Sequence, residues 1–139
     1  MGKRGYMKTW RVIVLVLAGL VPFMACATTG GIKAKPISAG VSRNFFADYD
    51  RVLKAALVSV VELGLKIDEM TRVGNESTIV ATKGVSLFSY GELIRVVVAT
   101  TSPTQTTVRV ITQRRLATNL TAKGDWSRPI FSQMESKLQ

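Results

Sequence analysis

One cysteine, no histidine and nine carboxylates limit the chemistry open to this chain. Cys26 stands alone, so neither an intrachain disulfide nor a cysteine-rich metal site can form. Without histidine the commonest general base and the commonest zinc ligand are both missing. Ser-His-Asp and Cys-His nucleophile sites are excluded with them. The carboxylates do not pair for general acid–base work. Asp48 and Asp50 are two apart and diverge on a helix, and Asp68 and Glu69 are neighbours that point to opposite faces of a strand. Gly30-Gly31, Gly84 and Gly91 match neither a phosphate loop nor Gly-x-Gly-x-x-Gly. The residues therefore predict no enzyme, with no catalytic, cofactor-binding or metal-ligating set and no cofactor.

What is left is the cysteine itself, and its setting is specific. Lys3, Arg4, Lys8 and Arg11 open the chain without any carboxylate, an apolar run covers 12–25, and Cys26 follows. A basic start, a short apolar core and small residues at its end describe a secretory signal. The run has 14 residues, against the about 20 needed to span a bilayer. Pro22 breaks the helix near its end and presents the next residues in extended form. Phe23-Met24-Ala25-Cys26 resembles the lipobox of bacterial lipoproteins. Ala25 and Cys26 match it, and Phe23 and Met24 depart from its usual types. The resemblance implies cleavage before Cys26 and attachment of acyl chains such as palmitate there. The competing cut uses Ala25-Cys26-Ala27 as an A-x-A site and releases a soluble periplasmic product starting at Thr28. Retention of the segment as an anchor is a third reading. In lipoproteins of Gram-negative bacteria, Ala27 after the cysteine implies the outer membrane, facing the periplasm.

Removing residues 1–25 leaves 114, enough for one modest core. The remainder keeps 15 basic and nine acidic residues, a net charge of +6. Export argues against nucleic acid as the partner of that charge. An anionic envelope polymer or head group, or simple solubility, accounts for it. Residues 26–40 are small, polar and interrupted by Gly and Pro, which predicts a flexible tether. The domain is then 41–139.

Within it, a first edge strand is expected over 41–46. Tyr49, Val52, Leu53, Ala56, Leu57, Val60 and Val61 fall on one helical stripe. With Asp48 as N-cap and Gly64 as the left-handed residue after the helix, they predict a helix over 48–63. Strands are expected over 65–70, 78–83, 92–100 and 106–114, with a turn at Gly74-Asn75 and a loop around Pro103. A last helix starts at Asp125 or Ser127, with Ile130, Phe131, Met134 and Leu138 as its stripe and Pro129 tolerated in its first turn. The fold class is α+β: an antiparallel sheet of four to five strands, covered on one face by the 48–63 helix, plus a C-terminal helix.

Two features are candidates for a partner-binding surface. Leu87, Phe88 and Tyr90 lie between Gly84 and Gly91 in a hairpin connection. They either form an exposed aromatic tip or fold back to complete the core. Arg95 and Arg109, on adjacent strands, share a face; they either present a cationic patch or belong to a solvated sheet face.

From residue 41 onward the pattern Ser-Arg-x-Phe-x-Ala-x-Tyr-Asp-x-Val, then Ala-Leu and Leu-Gly-Leu-Lys-Ile, resembles small lipoproteins of uncharacterised bacterial families. Their domains are similar to those of the assembly-machine lipoprotein BamC. Ser-Leu-Phe-Ser-Tyr-Gly-Glu and Arg-Arg-Leu-Ala-Thr-Asn-Leu resemble recurrent segments of the same families. The resemblance supports the fold and carries no functional residues; the function expected from the whole sequence is a non-enzymatic envelope lipoprotein that binds or scaffolds another envelope protein. The alternative is a carrier that holds a lipid or small apolar ligand between sheet and helix.

Overall fold

The computed structural model describes residues 27–85, 91–116 and 124–139. Five antiparallel strands form one open sheet: β1 (Val41–Phe45), β2 (Lys66–Val73), β3 (Glu76–Lys83), β4 (Glu92–Ser102) and β5 (Gln105–Arg114). Their order is β1-β5-β4-β3-β2, a four-strand meander whose outer side at β5 is closed by the first strand. Among the described residues three α-helices accompany it: α1 (Thr29–Ala34), α2 (Tyr49–Glu62) and α3 (Ser127–Leu138). The expected α+β class and antiparallel sheet are the observed ones.

α2 begins and ends where its sequence dictates. The Asp48 side chain accepts a hydrogen bond from the Arg51 backbone N–H at 3.0 Å, satisfying a donor with no partner inside the helix. At the other end Gly64 takes φ +71°. The Gly64 N–H then reaches Val61 O and the Leu65 N–H reaches Val60 O, closing a Schellman motif. Only glycine adopts that φ without strain. The buried face differs from the expected stripe, because Ala55 and Ser59 are buried while Val61 is exposed. α3 lies alongside α2 and rotates the buried sector toward itself, with Gln133 and Lys137 both reaching Glu62.

The core lies between these two helices and one sheet face. Val52, Val60, Ile79, Val96, Ile130 and Met134, each fully buried, are among the side chains that fill it. Phe45 and Phe131 close its β1 side with ring centroids 6.2 Å apart. Burial of this kind stabilises by roughly 1.5–3 kcal/mol for each large aliphatic side chain.

The hairpins are tighter than expected. Val73 pairs with Glu76, so Gly74-Asn75 alone makes the β2–β3 turn, with Gly74 at φ +57°. Both strands therefore run three and two residues further than the 65–70 and 78–83 expectations at that end.

The largest departure concerns residues 28–40, expected to be a flexible tether. They are folded onto the opposite face of the sheet. The Thr28 side chain caps α1 by accepting from the Gly31 N–H, and Ile32, fully buried, packs against Val80 and Leu93. The turn Ile37–Ala39 follows, and Gly40 then lies tight on β5. A Cβ there would sit 2.6 Å from Ile111 Cγ1 and 2.8 Å from Val110 O. Small residues in this stretch permit close approach rather than mobility.

Candidate binding surface

Covering both faces changes what the central strand presents. β4 is buried continuously from Glu92 to Val98, with Ile94, Val96 and Val98 under α2 and α3. Leu93, Arg95 and Val97 lie on the face that α1 crosses. Register puts Arg95 opposite Ile111 and Arg109 opposite Val97, so the two arginines do share a face, as expected. They do not form a cationic patch. Arg95 is only 9% exposed, and its Nη1 donates to Lys33 O at 2.8 Å and to Lys35 O at 3.3 Å.

Those carbonyls are at the C-terminal end of α1, where helix geometry leaves acceptors without intrahelical donors. The guanidinium serves them and thereby fastens the N-terminal segment to the sheet centre. Lys33 adds an exposed ion pair with Glu69 on β2, which holds the Glu69 carboxyl below the ordinary glutamate range. Arg109 is half-buried beside Gly40, and its Nε donates to Ser42 Oγ on β1 at 2.6 Å. Of the other residues assigned to the binding surface, Leu87, Phe88 and Tyr90 lie outside the described residues, as does Cys26.

The buried Glu92 was not legible as a special residue. Its Oε2 accepts from Trp126 Nε1 and its Oε1 from the Gly124 N–H, each at 3.0 Å. The Trp126 N–H donates to Thr112 Oγ1, and both Asp125 carboxylate oxygens accept from Ser127. This network fixes the start of α3 on the ends of β4 and β5, a structural role for a carboxylate in a largely apolar surrounding. Among the described residues, no group of three or more His, Cys, Asp or Glu side chains is placed to hold a metal ion.

The sheet edges differ. β2 carries a bulge at Asp68 and the charged residues Lys66, Glu69 and Arg72, all features that resist pairing with another strand. β1 is less defended. Ser42 is drawn to Arg109, Asn44 to Thr107, and Arg43 to Glu135 and the face of Phe131, so these side chains turn back onto the fold. Val41 remains half exposed, and Phe46, just past the strand, is 89% exposed. A shallow cleft of about 360 Å³ runs from Phe46 along Phe45 and Ala47 to Glu135 and Leu138 of α3. A second, of about 400 Å³, lies between α2 and α3 and is rimmed by Arg51, Lys54 and Lys137. An open strand edge beside an exposed aromatic ring can accept an extended segment of another chain.

No protein-family model matches the chain, and no curated protein matches it.

Proposed function

We propose that this chain is a non-enzymatic lipoprotein of the bacterial cell envelope, held to a membrane through acylated Cys26 and acting as a protein-binding or scaffolding module. The carrying observation is the order of segments: a basic start, a 14-residue apolar run, the lone cysteine and then, with no spacer, a folded domain. The resemblance to small bacterial lipoproteins supports the envelope setting, and Ala27 after the cysteine favours the outer membrane as the location. The β1 edge with Phe46 supplies a surface for a protein partner, replacing buried Arg95 in that role.

We prefer this to a lipid carrier because the layer where such a ligand would lie is occupied by Val52, Val60, Ile79, Val96 and Met134. The test is expression of the full chain and its Cys26→Ser variant, followed by membrane fractionation and mass measurement of the N-terminus. The parent should fractionate with membrane and carry acyl mass on Cys26, and the variant should lose both. An unacylated product starting at Thr28 would overturn the reading.

A further inference from the structure

The fold leaves no slack between Cys26 and the domain. Ala27 donates its N–H to Arg115 O at 3.1 Å, at the end of β5, and Thr28 already caps α1. From there Ile32, Arg95 and Gly40 hold the segment against the sheet as far as β1. Wherever Cys26 is attached, the end of the sheet next to Ala27 is attached with it.

That end has a composition of its own. Lys83, Glu92 and Arg114 lie abreast on β3, β4 and β5, with Arg115 following and Lys66 one pair inward, opposite Thr82. The single carboxylate of that row, Glu92, is buried and bonded to Trp126 and Gly124, and Lys83 Nζ lies 5.7 Å from the Trp126 ring centre. Asp125, beside the row, has both oxygens engaged by Ser127. Val85, two residues past Lys83, is 68% exposed. At the opposite end are the turns Gly74-Asn75 and Pro103-Thr104, where Asp48, Asp50 and Glu76 are mixed with Arg51 and Arg72. One end is therefore basic with an exposed aliphatic residue, and the other is mixed in charge.

We infer that the domain sits directly on an anionic phospholipid surface, with the Lys83–Arg114 end of the sheet against the head groups and the Gly74-Asn75 turn pointing away. This orientation rests on acylation at Cys26. Lysines and arginines near a membrane are drawn to its negative surface, and a lipid chain joined to a basic patch anchors more firmly than the chain alone. The sheet supplies the lever. From residue 92 to residue 100, β4 spans about 27 Å, beyond the roughly 20 Å root-mean-square reach of a free 13-residue tether.

The test uses the full acylated chain in vesicles of phosphatidylethanolamine and phosphatidylglycerol doped with a head-group quencher. Val85→Cys and Asn75→Cys variants, each carrying a fluorophore on the new thiol, report the two ends. The label at position 85 should be quenched several-fold more than the label at 75, and the difference should shrink in vesicles without anionic lipid. Introducing Ile32→Asp into both variants should leave them on the vesicles but equalise the quenching. Equal quenching in the parent background, or stronger quenching at 75, would overturn the orientation while acylated Cys26 stands. A difference that survives Ile32→Asp would show that the docked segment does not set it, and would overturn the proposal too. A chain recovered without acyl mass and without vesicle binding would overturn the Cys26 reading first.

Discussion

Replacing Ile32 by alanine tests whether the segment before β1 is part of the fold or merely rests on it. Ile32 is fully buried against Val80 and Leu93, in a small cluster separate from the main core. The substitution removes three carbons. At about 0.8 kcal/mol for each buried methylene-sized group, docking should weaken by about 2.4 kcal/mol, close to fiftyfold in the docking equilibrium at room temperature. The segment can then lift away while the helix–sheet core stays closed, because α2 and α3 pack on the other face.

Hydrogen exchange on the chain separates the two levels, since local opening affects only the amides that it exposes. The amide at position 32, bonded to Thr28 O, and that of Ala27, bonded to Arg115 O, should lose protection by that factor. Amides of Val96 and Val108 should keep theirs. Protection at 27 and 32 unchanged within about twofold would refute a docking energy concentrated on Ile32. An equal loss at all four would show that the segment and the core open as one unit.

The remaining predictions address the other contacts. Arg95→Met keeps much of the packing volume but strips two donors from the carbonyls of Lys33 and Lys35, so docking should fall by about 1–3 kcal/mol, read at the same amides. Gly40→Ala places a Cβ against Ile111 and the Val110 carbonyl, so β1–β5 pairing must shift; exchange of the β1 amides should accelerate. Glu92→Leu leaves Trp126 Nε1 and the Gly124 N–H without these acceptors. Emission of Trp126, the sole tryptophan after residue 25, should shift and the urea midpoint should fall by the equivalent of about 1–3 kcal/mol per donor that loses its acceptor. Acid should loosen the docking of α1 slightly. The Glu69 carboxyl is held below its usual range, first by its hydrogen bond from Lys33, so its contribution is present above the unfolded pKa and is lost as pH falls through the lowered folded one. Protection at position 32 should fall on acidification, and Glu69→Gln should flatten that dependence.

The elements that could be read from the sequence are those whose signals are local. α2 announces itself by Asp48, its stripe and Gly64, and α3 by Ile130, Phe131 and Met134 after Pro129. Signals that depend on a second layer were hidden. Val61 belongs to the stripe by periodicity, yet Ser59 is the buried one because α3 approaches from that side. α1 has the sequence Thr-Gly-Gly-Ile-Lys-Ala, and two glycines in six residues give it almost no intrinsic helix tendency. It exists because Thr28 caps it and Ile32 and Arg95 hold it. The available clue was Arg95 itself, a lone cation within Leu-Ile-Arg-Val-Val-Val. An arginine in a run of that kind requires carbonyl or carboxylate partners, and the partners had to come from elsewhere in the chain. The same reasoning applies to Glu92. The surface candidates fared differently because pairing parity fixes which residues share a face, whereas exposure depends on what covers that face.

Under the acylation proposed for Cys26, the docked segment bears on how a lipid anchor works in a protein this small. A free tether would let the domain tumble, and any patch on it would meet a partner at random orientation. A segment fastened by Ile32, Arg95 and Gly40 fixes which end of the sheet accompanies the anchor. It also fixes the attitude of the β1 edge, since the chain passes from Gly40 directly into Val41. On the proposed anchor, the strand edge and exposed Phe46 are offered at a set height and direction from the membrane. Pre-orientation reduces the rotational freedom lost when a partner strand adds to that edge. Mutations at Ile32 should therefore weaken partner capture by the membrane-bound chain while leaving capture by the free domain unchanged. The two effects can be separated by measuring both forms against the same partner.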